Sequence, residues 1–110
     1  MHIHYISEQN SILNHFLAQI RDVNIQKDSM RFRKNIERIG EIMAYELSKT
    51  LDYKEIDVQT PLGITHTTTI AEPVVLCSIL RAGLALHQGF MSFFDNAENG
   101  FVSAYRHHYD

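Results

Sequence analysis

Apolar residues recur at helical spacing from Ser11 to Arg21, where Ile12, Leu13, Phe16, Leu17 and Ile20 form one stripe. Asn10 or Ser11 can cap that helix, a side-chain oxygen accepting from a free backbone N–H. After a polar stretch from Asp22 to Lys27, a longer helix is predicted, capped by Asp28 or Ser29 and striped by Phe32, Ile36, Ile39 and Met43. Thr50 and Asp52 mark its exit beyond Lys49, so the helical part covers about residues 11–49. The period then changes. Ile56 and Val58 alternate with Glu55, Asp57 and Gln59, and Ile64 leads into Thr67, Thr68, Thr69 and Ile70. Between these runs, Thr60-Pro61-Leu62-Gly63 has turn chemistry: Pro61 presets φ at the first central position and Gly63 can take a left-handed conformation. A β-hairpin arm is predicted over about residues 53–70.

The last third reads differently. Val74 to Leu80 is apolar apart from Ser78, the pattern of a strand buried on both faces. Gly83 to Phe94 is predicted to be a helix with Leu84, Leu86, Phe90, Met91 and Phe94 apolar, and Asp95 to Gly100 a loop. Phe101 to Tyr105 is a second strand. Strand, helix and strand over about residues 73–106 make a βαβ unit, which requires a parallel, right-handed crossover. The fold class is therefore α/β, with residues 1–110 forming one partial domain. Parallel sheets normally hold more than two strands and are covered on both faces. The pattern predicts a fragment, a truncated gene product or a protein completed by a partner.

Composition narrows the class. Hydrophobic residues make up 45% and charged residues 21%, as in a soluble globular protein. A net charge of −3 and a pI near 6.1 argue against a general nucleic-acid binder. No run nears the roughly 18 apolar residues of a membrane span. Met1 to Asn10 is too polar for a signal peptide, and Cys77 is the only cysteine, so no intramolecular disulfide can form. A reducing compartment, the cytoplasm, and no membrane partner are the expectations.

Ser78-Ile79-Leu80-Arg81-Ala82-Gly83-Leu84 is the segment richest in chemistry. Arg81 sits where a buried strand ends and a helix begins, the position at which open α/β sheets bind ligands. Its planar fork suits phosphate oxygens, and Gly83 permits close backbone approach. Tyr105-Arg106 repeats the arrangement after the second strand. Adjacent parallel strands share a carboxyl edge, so Arg81 and Arg106 can converge on one pyrophosphate. The competing reading is two surface arginines that cap neighbouring helices.

Ile79-Leu80-Arg81-Ala82-Gly83-Leu84, followed by Tyr105-Arg106 25 residues after Arg81, resembles uracil phosphoribosyltransferase, as does Arg31-Phe32-Arg33 running into Ala44-Tyr45-Glu46. The order of the motifs spans most of the chain and is more specific than any one of them. The resemblance implies a type I phosphoribosyltransferase fold represented by its N-terminal half. It implies transfer of ribose 5-phosphate from phosphoribosyl pyrophosphate to N1 of uracil, giving UMP and pyrophosphate. It assigns phosphoribosyl pyrophosphate binding to Arg81 and Arg106, with Leu80, Ala82 and Gly83 shaping the loop. Mg2+ is expected to arrive on the substrate's oxygens, with no protein metal ligands, and the family implies a homo-oligomer. Departures from the family pattern are large. Its 5′-phosphate loop, an Asp followed by an Ala-Thr-Gly-Gly-Ser turn, and its C-terminal uracil-reading segment have no counterpart in these residues. No catalytic group is identified, and the 110-residue chain alone is expected to be inactive. The alternative reading is a non-catalytic interaction or regulatory module derived from such an enzyme; an RNA-binding reading is disfavoured by the acidic pI.

Other features read as structural. Arg31, Lys34 and Arg38 share a helix face, offset by Glu37 and Glu41. His107 and His108 would point to opposite sides of a strand, and His2 and His4 lie at a terminus, so none forms a zinc set. His87, a turn into the helix after Gly83, and Cys77, on the apolar strand, are expected to be packing residues.

Overall fold

Short-range polar contacts decide where the first helices begin and end. A computed structural model describes residues 3–106. Helix α1, Leu13–Arg21, starts after Ser11, whose hydroxyl oxygen accepts from the Leu13 N–H at 3.2 Å. Asp22 closes it, donating its N–H to the Ala18 carbonyl. The Asp22 carboxylate then accepts from the N–H groups of Asn24 and Ile25, at 2.8 and 3.2 Å, which turns the chain into a short 3-10 segment, Ile25–Lys27. Asp28 caps α2, Ser29–Ser48, by accepting from the Arg31 N–H at 3.1 Å. Of the two caps predicted for this helix, the aspartate serves.

The buried stripe of α2 differs from the predicted one. Asn35, Ile39, Gly40 and Ala44 are buried, whereas Phe32 is 39% exposed. Small residues contribute to this: the later helix Leu84–Met91 approaches α2 closely at Gly40, where a Cβ would lie 3.2 Å from the Gly89 Cα. Asn35 is fully buried, and its amide donates to Gln19 Oε1 at 2.7 Å and accepts from Arg38 Nη1 at 3.0 Å. That network ties α2 to α1, with the Arg38 guanidinium 5.4 Å from the Phe16 ring centroid.

Strands β1, Tyr53–Thr60, and β2, Gly63–Ile70, form the predicted antiparallel arm, closed by the Thr60–Gly63 pair with Pro61 and Leu62 at the tip. Gly63 has φ 136°, a conformation that requires glycine. The arm is a sheet of its own. Its root is held by the Tyr53 hydroxyl, donating to the Ser48 carbonyl at 2.7 Å, and by the Ala71 N–H, donating to the Asp52 carbonyl at 2.8 Å. Its projection explains a radius of gyration of 17.9 Å and a long axis of 65 Å, against about 13 Å radius for a compact chain of about 100 residues.

Strand β3, Val75–Leu80, helix α3, Leu84–Met91, and strand β4, Glu98–Ser103, make the βαβ unit, with β3 and β4 parallel. The helix ends at Met91, short of the predicted Phe94, because Ser92, Phe93 and Phe94 close turns onto the Gln88, Gly89 and Phe90 carbonyls.

The expectation of burial on both faces of β3 is not met. Leu76, Ser78 and Leu80 are partly covered, on the face that carries α3, but Val75 and Ile79 are 62% and 59% exposed and Cys77 is exposed as well. Across from them, Val102 is also exposed. An unbroken apolar run records that both faces can be buried, whereas the described residues supply a layer for one. Cys77 is accordingly not the core residue expected of it. Iodoacetamide should add one adduct to the native chain at a rate close to that in urea, read as an intact-mass shift. A thiol labelled only in denaturant would show that this face is covered.

Candidate functional site

Strand β3 delivers Arg81 at its carboxyl end, and Arg81-Ala82-Gly83 turns directly into α3. The peptide between Leu80 and Arg81 is cis. The loop is drawn back onto its own strand, with the Gly83 N–H donating to the Ile79 carbonyl at 2.9 Å and the Leu84 N–H to the Arg81 carbonyl at 3.1 Å. A Cβ on Gly83 would stand 2.8 Å from the Ile79 oxygen and 3.2 Å from the Ile79 nitrogen. Glycine is thus required here by strand backbone, a demand separate from the ligand approach for which the sequence singled it out.

Arg106 is brought to the same end of the sheet. Leu80 pairs with Ser103, so the two strands finish level, and only Ala104 and Tyr105 separate Ser103 from Arg106. Arg81, Ala82 and Arg106 are exposed. Lys34–Glu37 and Lys49–Glu46 are ion pairs and His66 lies against Asp57, and no carboxylate among the described residues pairs with Arg81 or Arg106. Guanidinium groups are planar forks of donors, the chemistry that suits anions with several oxygens. Beside the loop, an open, mostly apolar groove of about 660 Å³ runs between β3 and α3, with Leu76, Ser78, Gly83, Leu86 and Phe90 in its lining.

Two members of the basic face of α2 are engaged within the helical layer. Lys34 is paired with Glu37 at 2.6 Å, and Arg38 is engaged by Asn35 and Phe16. Among the described residues no three His, Cys, Asp or Glu side chains gather as a metal cluster. His2, His107 and His108 lie outside the described residues.

Two features were invisible in the sequence. His87, 6% exposed, is hydrogen-bonded through Nε2 to Asn99 Oδ1 at 2.8 Å, which agrees with its reading as a packing residue but supplies a polar partner from β4. Ser78, opposite Phe101 on the covered face of the sheet, buries its Oγ without a hydrogen-bond partner. An orphaned hydroxyl costs about 1–3 kcal/mol. Ser78→Ala should therefore raise the thermal midpoint, by about 1 kcal/mol of stability, with a scanning melt as the measurement. A lower midpoint would show that Oγ has a partner in solution.

The chain is by class an α/β protein, with a tight glycine loop and two arginines at the carboxyl edge of a parallel βαβ unit, the edge at which open α/β sheets bind ligands. The family model described as Uracil phosphoribosyltransferase matches residues 6–110, and the chain belongs to that family. A uracil phosphoribosyltransferase from Porphyromonas gingivalis is 49% identical over the whole chain, which covers 51% of that relative. One from Thermococcus gammatolerans is 38% identical over 93% of the chain and 46% of the relative. The solved structure of the AQ2163 protein from Aquifex aeolicus superposes with a TM-score of 0.71 at 26% identity, covering 84% of this chain and 44% of that one. The chain thus spans about half the length of the curated relatives it matches.

Proposed function

We propose that this chain is the pyrophosphate-binding half of a uracil phosphoribosyltransferase, which converts uracil and phosphoribosyl pyrophosphate to UMP and pyrophosphate in pyrimidine salvage. The observation that carries this reading is the 49% identity over the entire chain to a uracil phosphoribosyltransferase. The geometry of the loop agrees with it.

In this reaction the bond from ribose C1 to the pyrophosphate oxygen breaks, the bond to uracil N1 forms, and N1 gives up its proton. Negative charge grows on the departing pyrophosphate while the ribose takes on oxocarbenium character. Fixed cations at the pyrophosphate lower that barrier more than they stabilise bound substrate, provided they are held for the charge that develops. Arg81, anchored through its loop, and Arg106 have this role, and Leu80, Ala82 and Gly83 shape the cradle. Mg2+ chelated by the substrate's own diphosphate oxygens would share with Arg81 and Arg106 the neutralisation of that charge.

Alone, the 110-residue chain is inactive, because the 5′-phosphate and uracil loops of the family have no counterpart in it. The protein self-associates, with the isolated arm as the element that needs cover, because a lone two-stranded hairpin is marginally stable in water. Its place is the cytoplasm, in keeping with the single cysteine, and the net charge of −3 speaks against a nucleic-acid partner.

The test pairs the intact mass of the protein from its source with a uracil-to-UMP assay. A mass near twice 12.7 kDa with magnesium-dependent UMP formation supports the proposal. A mass of 12.7 kDa without turnover gives the lead to a non-catalytic interaction module.

A further inference from the structure

Helix α3 rests on β4 through a contact that is polar where its surroundings are apolar. His87 is nearly buried, its ring 5.0 Å from the ring of Phe101 and tilted by 34°. Its Nε2 meets Asn99 Oδ1 at 2.8 Å. The Asn99 amide nitrogen donates to the Ala97 carbonyl at 3.3 Å, which turns the amide oxygen toward His87. An amide oxygen only accepts, so Nε2 of His87 carries the hydrogen and donates it. The imidazole is thereby fixed in position and in tautomer by one strand.

The backbone of the same residue closes the first turn of α3 on the arginine loop. The His87 N–H donates to the Gly83 carbonyl at 2.9 Å, and the Gly83 N–H donates to the Ile79 carbonyl at 2.9 Å. An unbroken path runs from the loop that carries Arg81, through His87, to Asn99 on the strand that leads to Arg106. We propose that His87 is a positioning residue, which through Asn99 sets the spacing between the Arg81 loop and the Arg106 strand. The proposal rests on the reading of Arg81 and Arg106 as one anion site. An apolar pair at positions 87 and 99 would fill the same space but tolerate sliding and rotation of α3. A hydrogen bond weakens steeply away from its preferred length and angle, so it selects one seating of the helix. The two arginines act on a single diphosphate only if their separation is held, and misplacement by about 1 Å can cost about 100-fold in rate.

The experiment uses the isotopically labelled chain and the variants H87L, H87Q and N99V. H87L keeps the bulk and removes the donor, H87Q restores an N–H of similar reach, and N99V removes the acceptor from the exposed side. The wild-type imidazole should show a proton on Nε2 in long-range nitrogen–proton spectra. In H87L and N99V, amide exchange at Gly83 and His87 should rise about tenfold, and magnesium pyrophosphate should bind about threefold to tenfold more weakly. H87Q should recover most of both losses, which a role in packing alone does not predict. The proposal is overturned by an Nδ1–H tautomer, by H87L exchange equal to wild type, or by H87Q no better than H87L. If H87L fails to fold, N99V decides the same bond. A wild-type chain that does not bind pyrophosphate sinks the two-arginine reading, and the exchange data then judge the His87–Asn99 contact by itself.

Discussion

Gly89→Ala is expected to abolish the cooperative fold of this chain. Helices α2 and α3 cross at a pair of glycines, and their backbones touch. A Cβ on Gly89 would lie 2.1 Å from the Glu37 carbonyl oxygen and 2.9 Å from both the Glu41 nitrogen and the Gly40 Cα. On Gly40 it would lie 2.6 Å from the Leu86 carbonyl oxygen. All of these except a Leu86 side-chain carbon near Gly40 are backbone atoms, so no rotamer change relieves the clash and the helices must separate. Overpacking of this kind typically costs about 1–3 kcal/mol and sometimes more. Replacing a helical glycine by alanine returns at most about 1 kcal/mol of helix propensity. The collision therefore wins, and the chain has little reserve: Leu13, Ile39 and Ala44 are its buried apolar residues among those described. Gly40→Ala should act in the same direction. Gly100→Ala is the control, because its Cβ would meet only Cys77, at 3.8 Å or beyond. Circular dichroism melts should show a cooperative transition for wild type and Gly100→Ala and none for Gly89→Ala. A Gly89→Ala melt within a few degrees of wild type would mean that α2 and α3 do not cross this closely.

Much of the architecture was legible because its signals are local. Asp28 lies within three residues of the N–H it caps, the Pro61-Leu62-Gly63 turn is contained in its own tetrapeptide, and an apolar run ending in Arg-Ala-Gly announces a strand that enters a helix. Three things were not legible, each because its cause lies elsewhere in the chain. The face of β3 bearing Val75 and Ile79 is apolar but uncovered, and apolarity alone does not reveal whether a layer is present. Gly40 and Gly89 each look like a weakness inside a helix until the other is placed against it. His87 and Asn99 are 12 residues apart in different elements, and no spacing rule joins them. The candidate site divides in the same way. Its arginines could be found from strand ends, whereas the reason for Gly83 is the Ile79 carbonyl behind it.

On the proposed reading, Arg81→Ala in the polypeptide that forms UMP lowers kcat/KM for phosphoribosyl pyrophosphate by about 100- to 1,000-fold, the scale for removing one preorganised donor from developing charge. Two features place the effect at this scale. Arg81 follows β3 directly in a loop pinned by the Gly83–Ile79 hydrogen bond, and no carboxylate among the described residues neutralises it. The backbone that carries its charge is therefore held in place before the reaction, which lowers the reorganisation needed during it. Most of the loss should fall on kcat, because the pyrophosphate gains charge as its bond to ribose breaks. Arg81→Lys should restore only part of the rate: a point charge on a flexible stem lacks the planar fork that grips two oxygens. Arg31→Ala, on the exposed start of α2, should change the rate less than twofold, as surface substitutions usually do. Initial rates at saturating uracil, with phosphoribosyl pyrophosphate varied, separate the cases. A loss confined to KM would make Arg81 a ground-state binding group, and equal effects of Arg81→Ala and Arg31→Ala would remove it from the site altogether.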